Sequence, residues 1–186
     1  MASWGYDVCG IDTKRYLESF TGKATLKESE VPGDFRQVAD WITRGAAEKV
    51  TLVGWSEGAG LVLLPAASAE HKQRFNGAVT VGLPNSAVLS WRWTDNLTYL
   101  TKQEPDEPHF STAPYLSRVA PLPLVVIQSK GDEYTPLETV NKLFAAAQPP
   151  KKFFLVDARN HRFDGGLEEF FRVLRQSVEW INQGAR

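Results

Sequence analysis

Short runs of apolar residues alternate along the chain with stretches in which apolar residues recur every three or four positions. Continuously apolar runs are typical of strands covered on both faces of a sheet, whereas the wider spacing is typical of helices packed on one side. Five runs are predicted to be strands: Tyr6–Asp12, Lys49–Trp55, Gly77–Leu83, Leu122–Ser129 and Lys151–Asp157. Strands that alternate with helices predict an α/β fold with a mostly parallel sheet flanked by helices.

Three helices are predicted among these strands. The first begins after Asp34, a residue type that caps helices, and carries apolar side chains at helical spacing. The second opens at residues 135–138, Thr-Pro-Leu-Glu, which combine a capping box with a proline at the first helical position. The last begins at about Leu167 and turns one apolar stripe toward the sheet. These patterns place the sheet between helical layers.

One stretch, from Pro84 to Pro121, breaks the alternation because it is rich in Trp, Tyr, Pro and Asp without a sustained period. We interpret it as an insertion of about this extent. The chain shows no internal repeat, low-complexity tract or linker, so residues 1–186 are predicted to form a single domain.

Composition narrows the classes of partner. The chain has 186 residues, of which 42% are hydrophobic, enough for one buried core. Its 21 basic and 22 acidic residues are scattered, which argues against nucleic acid as a partner. The single cysteine excludes an internal disulfide, and no Cys/His cluster has the spacing of a metal site. No apolar stretch is long enough to span a bilayer, so the chain as given is expected in the cytoplasm.

The strongest local motif is Gly54-Trp55-Ser56-Glu57-Gly58, which lies where an apolar strand ends and a helix is predicted to begin. A tight strand-to-helix turn projects a serine side chain above a sheet, and small flanking residues permit the sharp turn. The first amides of a helix have no intrahelical acceptor, so the N–H of Glu57 is placed to bind a developing oxyanion. Ser56 is therefore predicted to be a nucleophile, the alternative being an incidental serine in a turn.

A serine nucleophile needs a base to take its proton. His161 follows the last predicted strand, and loops after the carboxyl ends of parallel strands open on the same edge of a sheet. We therefore expect His161 to share an edge with Ser56. His71 lies in a polar loop and is predicted to be a structural histidine, while His109, in the insertion, is a lesser candidate.

The base in turn needs an acid that fixes its tautomer, and the loop after the fourth predicted strand supplies Asp132 at the same edge. Glu133 is the neighbour that could replace it, and an ordinary loop aspartate is the alternative interpretation. The candidates then follow the order Ser56, Asp132, His161, which is the chain order of the α/β-hydrolase triad.

On these motifs the sequence resembles the α/β-hydrolases from Tyr6 to its end. Residues 54–58 resemble the nucleophile elbow, residues 131–136 (GDEYTP) the acid loop, and residues 160–166 (NHRFDGG) the histidine-containing turn. Residues 5–20 are similar to a segment of the VirJ-like bacterial virulence-associated branch. The resemblance implies hydrolysis of an ester, thioester, amide or lactone through an acyl-enzyme, with no metal or organic cofactor.

We therefore predict a serine hydrolase that cleaves a carboxylic ester or related acyl bond. A catalytically weak binding or accessory protein on the same scaffold is the first alternative. A lactone or aminoacyl-lipid hydrolase is the second, suggested by the narrower resemblance.

The resemblance also implies a missing part. In such enzymes a second oxyanion donor comes from a loop after a strand that lies between the counterpart of Tyr6–Asp12 and the elbow strand. Either Tyr6–Asp12 pairs directly with the elbow strand, or a partner chain fills the gap, or the sequence begins inside a longer protein. We expect the incomplete sheet to self-associate, and a monodisperse monomer in light scattering at high concentration would contradict this.

Aromatic residues are the candidates for substrate binding. Trp55 flanks the nucleophile, Trp91 and Trp93 lie in the insertion, and Tyr16 follows the first predicted strand. The insertion is predicted to be a lid or pocket wall suited to an apolar acyl or aryl substrate, the alternative being that its aromatics cover the sheet edge. Tyr16 or Arg15 is the candidate for an added hydrogen bond to the oxyanion, with an ordinary loop role as the favoured alternative.

Overall fold

The computed structural model describes residues 1–21, 26–103 and 105–184. Six strands are formed in these ranges: β1 Val50–Trp55, β2 Phe75–Val81, β3 Ser86–Val88, β4 His109–Ser111, β5 Leu124–Ser129 and β6 Lys151–Val156. The central sheet has the order β1-β2-β5-β6, and all its pairs are parallel. Strands β3 and β4 form a separate antiparallel pair. The predicted α/β fold with a parallel sheet is confirmed.

Helices cover both faces of this sheet. The α-helices of the described ranges are α1 Thr13–Glu18, α2 Val31–Ile42, α3 Glu57–Ala67, α4 Thr98–Thr101, α5 Ala113–Leu116, α6 Leu137–Ala146 and α7 Leu167–Asn182. Because side chains alternate along a strand, Leu124 and Val126 pack with α2, α3 and α6, whereas Val125 and Ile127 pack with α7. No helix in the described ranges is both long enough and apolar enough to cross a bilayer.

Four of the five predicted strands are present, and their ends differ from the predictions by at most two residues. Both ends of β2 lie two residues earlier than predicted, so this strand ends at Val81 rather than Leu83. Gly82 has a φ of 58°, a conformation outside the strand region, so extended pairing stops before it.

The fifth prediction, a strand at Tyr6–Asp12, is wrong: these residues form no strand, and Val8 and Ile11 are 50% and 40% exposed. A strand needs a neighbour to bond its N–H and C=O groups. Within the described ranges β1 pairs with β2 alone, so direct pairing of Tyr6–Asp12 with the elbow strand, the first of the three alternatives, does not occur. A cavity of about 630 Å³ lies between this segment and β1. A partner chain in this gap and self-association stay predictions.

Two helix starts also differ from prediction. Helix α2 begins at Val31, so Asp34 lies in its first turn and does not cap it. Helix α6 begins at Leu137 and has no side-chain cap, because the partners of the predicted capping box are used elsewhere. The N–H of Thr135 donates to Asp132, and Glu138 pairs with Lys142. The predicted start of α7 at Leu167 is confirmed.

The insertion packs on α3. Gly60 of α3 makes this approach close, because a Cβ there would lie 2.3 Å from the Cβ of Ala87 in β3. Trp91 and Phe110 are buried in the same cluster as Leu61 of α3. The insertion therefore packs on α3 through a core that the two share.

Candidate active site

Ser56 lies at the turn between β1 and α3. Its φ of 56° and ψ of −122° are strained for a residue with a side chain, and such strain concentrates at functional sites. The turn requires a glycine at position 54, because a Cβ there would lie 2.1 Å from the carbonyl oxygen of Gly58. The N–H of Ser56 donates to the carbonyl of Val81 at 2.9 Å. This bond holds Ser56 at the carboxyl ends of β1 and β2.

The loop that carries His161 joins β6 to α7 and is held by a side chain. Oδ1 of Asn160 accepts the N–H groups of Arg162 and Asp164 at 3.0 and 3.1 Å. Because both bonds close over the residue after Asn160, they turn the chain sharply around His161.

Aromatic contacts connect this loop to the elbow. The ring of Trp55 packs edge-on against Phe163, with centroids 5.5 Å apart, and lies 5.1 Å from Phe170 of α7. Phe163 is fully buried although its φ is 61°. The residue before Ser56 and a residue two positions after His161 are therefore in contact.

The acid loop packs on the histidine loop through main-chain atoms. The N–H of Gly131 donates to the carbonyl of Ala158 at 3.0 Å. Only glycine fits at position 131, because a Cβ there would lie 2.4 Å from the carbonyl oxygen of Arg159. The two loops are thus held at backbone contact distance.

Asp132 contacts the imidazole of His161 directly, with Oδ2 lying 2.7 Å from Nδ1. Oδ1 accepts the N–H groups of Tyr134 and Thr135 at 2.9 and 3.0 Å. Burial of this carboxyl group, whose side chain is 1% exposed, opposes ionisation. The bonds from His161 and the two amides outweigh burial, so the pKa of Asp132 lies below its ordinary value. The side chain is held as a carboxylate.

Glu133 lies beside the same histidine but contacts a different part of it. Oε2 accepts the backbone N–H of His161 at 2.8 Å. Burial opposes ionisation of Glu133, but this bond and the nearby Lys102 ammonium outweigh it, so its pKa is lowered. Asp132, and not Glu133, is the residue at the imidazole.

The imidazole of His161 packs against Gly82. A Cβ at position 82 would lie 2.4 Å from Cε1 and 2.9 Å from Nδ1. Gly82 directly follows Val81, whose carbonyl accepts the N–H of Ser56, so the ring lies at the strand end that also holds Ser56. Nε2 is buried and has no hydrogen-bond partner among the described residues. The Asp132–His161 bond is formed, and the second ring nitrogen is left unbonded.

This chain resembles known proteins in its three-dimensional structure. No protein-family model matches the sequence, and no curated protein matches it. The chain is similar to the esterase domain of a Rhodothermus marinus protein, with a TM-score of 0.56, 19% identity and coverage of 81% of this chain and 68% of that one. A monoacylglycerol lipase from Paleococcus ferrophilus matches with a TM-score of 0.56, 18% identity and coverage of 88% and 78%. The chain has the α/β-hydrolase fold.

A further α/β-hydrolase, GrgF from Penicillium sp., matches with a TM-score of 0.59, 14% identity and coverage of 88% of this chain and 75% of that one. At these identities the likeness establishes the fold alone. In this fold, ligands bind outside the carboxyl ends of the strands, the edge at which Ser56, Asp132 and His161 lie.

The other two histidines are separated from this group. His71 precedes the turn Lys72–Arg74 that leads into the amino end of β2, so it lies at the opposite edge of the α/β-hydrolase sheet. His109 begins β4, is exposed, and has Nδ1 3.0 Å from the carbonyl of Glu107. The structure brings neither of them to the Asp132 loop.

The predicted substrate-binding aromatics are dispersed. Trp91 is 1% exposed within the core of the insertion, whereas Trp93 is 83% exposed. Trp55 is partly exposed and contacts the histidine loop. The structure thus gives Trp91 a packing role, and substrate binding by these residues stays a prediction.

Both the hydroxyl and the ring of Tyr16 have partners among the residues of α2 and of the turn that follows α1. Burial, together with the hydrogen bond that its hydroxyl donates to Asp34 at 2.7 Å, raises the pKa of Tyr16. Its ring packs on Phe20 and Phe35. Arg15, the other candidate for an added hydrogen bond, is exposed and lies 3.7 Å from Asp12. Both residues have structural partners, and a role for either at the oxyanion stays a prediction.

Sequence reasoning missed Thr13 and the cavity beside the elbow. The cavity between residues 5–11 and β1 is also lined by Trp55, Gly58 and Thr13. Oγ1 of Thr13 lies 3.4 Å from where a Cβ of Gly58 would be.

No group of three or more His, Cys, Asp or Glu side chains that could hold a metal ion is found in the described part of the chain.

Replacing Gly82 with alanine is expected to disturb the site more than the fold. The new Cβ would displace the His161 ring, and displacement by about 1 Å lowers catalytic rates about 100-fold. We expect the rate at which a fluorophosphonate labels the protein to fall by about 10- to 100-fold. Gly45→Ala is the matched control, because Gly45 has a φ of 75° and no atom within 4 Å of its Cβ position. The Gly45→Ala variant carries the same backbone strain, about 1 kcal/mol. Equal labelling rates in the two variants would contradict the placement of His161.

Proposed function

We propose that this protein is a serine hydrolase that cleaves a carboxylic ester or a related acyl bond through an acyl-enzyme. The observation that carries the proposal is the Asp132–His161 hydrogen bond of 2.7 Å at the same sheet edge as the strained Ser56. The similar structures include an esterase domain and a monoacylglycerol lipase, which supports a hydrolase.

In the first half-reaction, Oγ of Ser56 attacks the acyl carbon while Nε2 of His161 takes the hydroxyl proton. The carbonyl oxygen becomes an oxyanion that accepts the N–H of Glu57, the first amide of α3. Asp132 stabilises the imidazolium through Nδ1. The tetrahedral intermediate then expels the alcohol, which takes its proton from Nε2, and the acyl group remains on Ser56.

In the second half-reaction, water attacks the acyl carbon and gives a proton to Nε2 of His161. A second tetrahedral intermediate forms at the same amide, and its collapse releases the carboxylic acid. Ser56 recovers its proton from His161. The cycle consumes one water and needs no other reactant. In both half-reactions Nδ1 stays bonded to Asp132, and the unbonded Nε2 takes and returns the proton.

A catalytically weak binding or accessory protein is the second candidate, and two observations favour it. Residues 6–12 form no strand, and the two side chains considered for a second oxyanion contact, Arg15 and Tyr16, have other partners. Loss of one oxyanion donor lowers kcat by about 10²- to 10³-fold. A lactone or aminoacyl-lipid substrate is a third candidate that retains the same three residues.

Labelling with a fluorescent fluorophosphonate separates the first two candidates. An activated serine attacks the phosphorus and displaces fluoride, whereas a serine without a base does not react at a useful rate. We expect one label per chain, located at Ser56 by peptide mass spectrometry. Absence of label after prolonged incubation of the folded protein would support the binding protein instead.

A further inference from the structure

We propose that Glu133 is a positioning residue for His161 and that Lys102 of the insertion holds Glu133 in place. The inference rests on the proposed function, since it assigns these residues a part in orienting the catalytic base. It gives the two consecutive carboxylates of the acid loop different roles. Asp132 holds the ring of the histidine, and Glu133 holds its main chain.

The histidine is bound at two points by one short segment. Oδ2 of Asp132 lies 2.7 Å from the ring Nδ1, and Oε2 of Glu133 accepts the main-chain N–H of His161 at 2.8 Å. Asn160 binds the main chain after His161, at Arg162 and Asp164, whereas Glu133 binds the main chain of His161 itself. Bonds to both the ring and the main chain fix the position of Nε2, on which proton transfer depends.

The second half of the arrangement comes from the insertion. Nζ of Lys102 lies 3.3 Å from Oε1 of Glu133 and donates to the hydroxyl of Tyr134 at 2.9 Å. The ring of Tyr134 packs edge-on against the ring of His161, with centroids 5.1 Å apart. Lys102 therefore contacts both Glu133, which binds the main chain of the histidine, and Tyr134, whose ring packs on the imidazole.

The backbone of Lys102 suits this placement. It ends α4 in the left-handed conformation, with a φ of 59° and its N–H bonded to the carbonyl of Thr98. This turn directs the chain away from α4 at the point where the side chain meets the acid loop. The pair is partly exposed, so its Coulomb energy is small and its main effect is geometric.

The test compares three substitutions of Glu133 in the full chain. Glu133→Ala removes the acceptor, Glu133→Asp withdraws it by one methylene, and Glu133→Gln keeps an oxygen at the same distance. We expect kcat for a p-nitrophenyl ester to fall about 10- to 100-fold in Glu133→Ala and Glu133→Asp, with KM changed less than about threefold. Glu133→Gln should retain kcat within about threefold. Glu138→Ala is the control, since Glu138 lies on α6 and pairs only with Lys142 in the described structure.

A spectroscopic readout tests positioning independently of turnover. The proton in the Nδ1–Asp132 hydrogen bond should give a downfield proton NMR resonance in the wild type and in Glu133→Gln. In Glu133→Ala the resonance should broaden or disappear, because the main chain of His161 is released. Lys102→Ala should reduce kcat less than Glu133→Ala does, since it removes the support and leaves the bond.

The outcomes distinguish this inference from the proposed function. Full kcat and an intact resonance in Glu133→Ala, together with Ser56-dependent turnover, overturn the positioning role alone. Equal losses in Glu133→Gln and Glu133→Ala also overturn it, because the retained acceptor would then not matter. If the wild type shows no Ser56-dependent turnover, the proposed function fails. The resonance in Glu133→Gln and its loss in Glu133→Ala would still support the positioning role.

Discussion

Replacing Ser56 with alanine should reduce turnover of a short p-nitrophenyl ester to the background rate. The variant lacks the Oγ that would form the proposed acyl-enzyme, and loss of a catalytic serine costs about 10⁶-fold in kcat. Within the described structure Oγ makes no capping hydrogen bond to α3, and the main-chain bond to Val81 persists in the variant. Circular dichroism and the unfolding midpoint should therefore change little. Steady-state kinetics with active-site titration provide the measurement.

Ser117→Ala is a matched control for this experiment. Ser117 is an exposed serine that follows α5, and its hydroxyl donates to the carbonyl of Pro114. Its loss should leave turnover unchanged. Turnover by Ser56→Ala equal to that of the wild type would contradict the assignment of Ser56 as nucleophile.

The second large effect is expected from Asp132→Asn. In the wild type, the carboxylate of Asp132 requires a proton on Nδ1 of His161, which leaves Nε2 as the acceptor. An amide can donate to Nδ1 instead, which places the imidazole proton on Nε2 and blocks the role as a base that we propose for His161. In serine hydrolases this change lowers kcat by about 10⁴-fold with the geometry retained. Kinetics measured beside Glu138→Asn should show a large loss in the first variant and none in the second.

The same substitution should have a pH-dependent effect on stability. The folded-state pKa of Asp132 lies below its ordinary value near 4, so its ionised form stabilises the fold above that pH. This stabilisation is lost as the pH falls through the folded-state pKa. The difference in free energy of unfolding between wild type and Asp132→Asn, measured in urea, should therefore narrow below about pH 4. A difference that grows toward acid would contradict the direction of the shift.

Much of the fold could be predicted because its signals are local. Apolar runs and helical spacing depend on residues close in sequence, and they located four strands and the start of α7. The prediction failed at Tyr6–Asp12, where the local pattern favours a strand but none of the described strands pairs with these residues. A strand is stable only in a sheet, so its formation depends on residues distant in sequence.

The capping box at Thr135 failed for a similar reason. The motif is sound by itself, but the N–H of Thr135 donates to Asp132, which also holds His161. The hydrogen bond from Thr135 to Asp132 therefore forms in place of the local capping bond. Sequence reasoning has no means of ranking the two bonds before the loops are placed.

The sequence by itself determined the parallel α/β architecture and the sheet edge at which Ser56, Asp132 and His161 lie, because strand ends and chain order are local properties. Only the tertiary structure decided that Asp132 meets the imidazole while Glu133 meets the main chain, and that Gly82 and Lys102 contribute to the same place. The sequence favoured Asp132 but left Glu133 as a possible replacement. They become different when the direction of each side chain is fixed against a histidine 28 or 29 positions away.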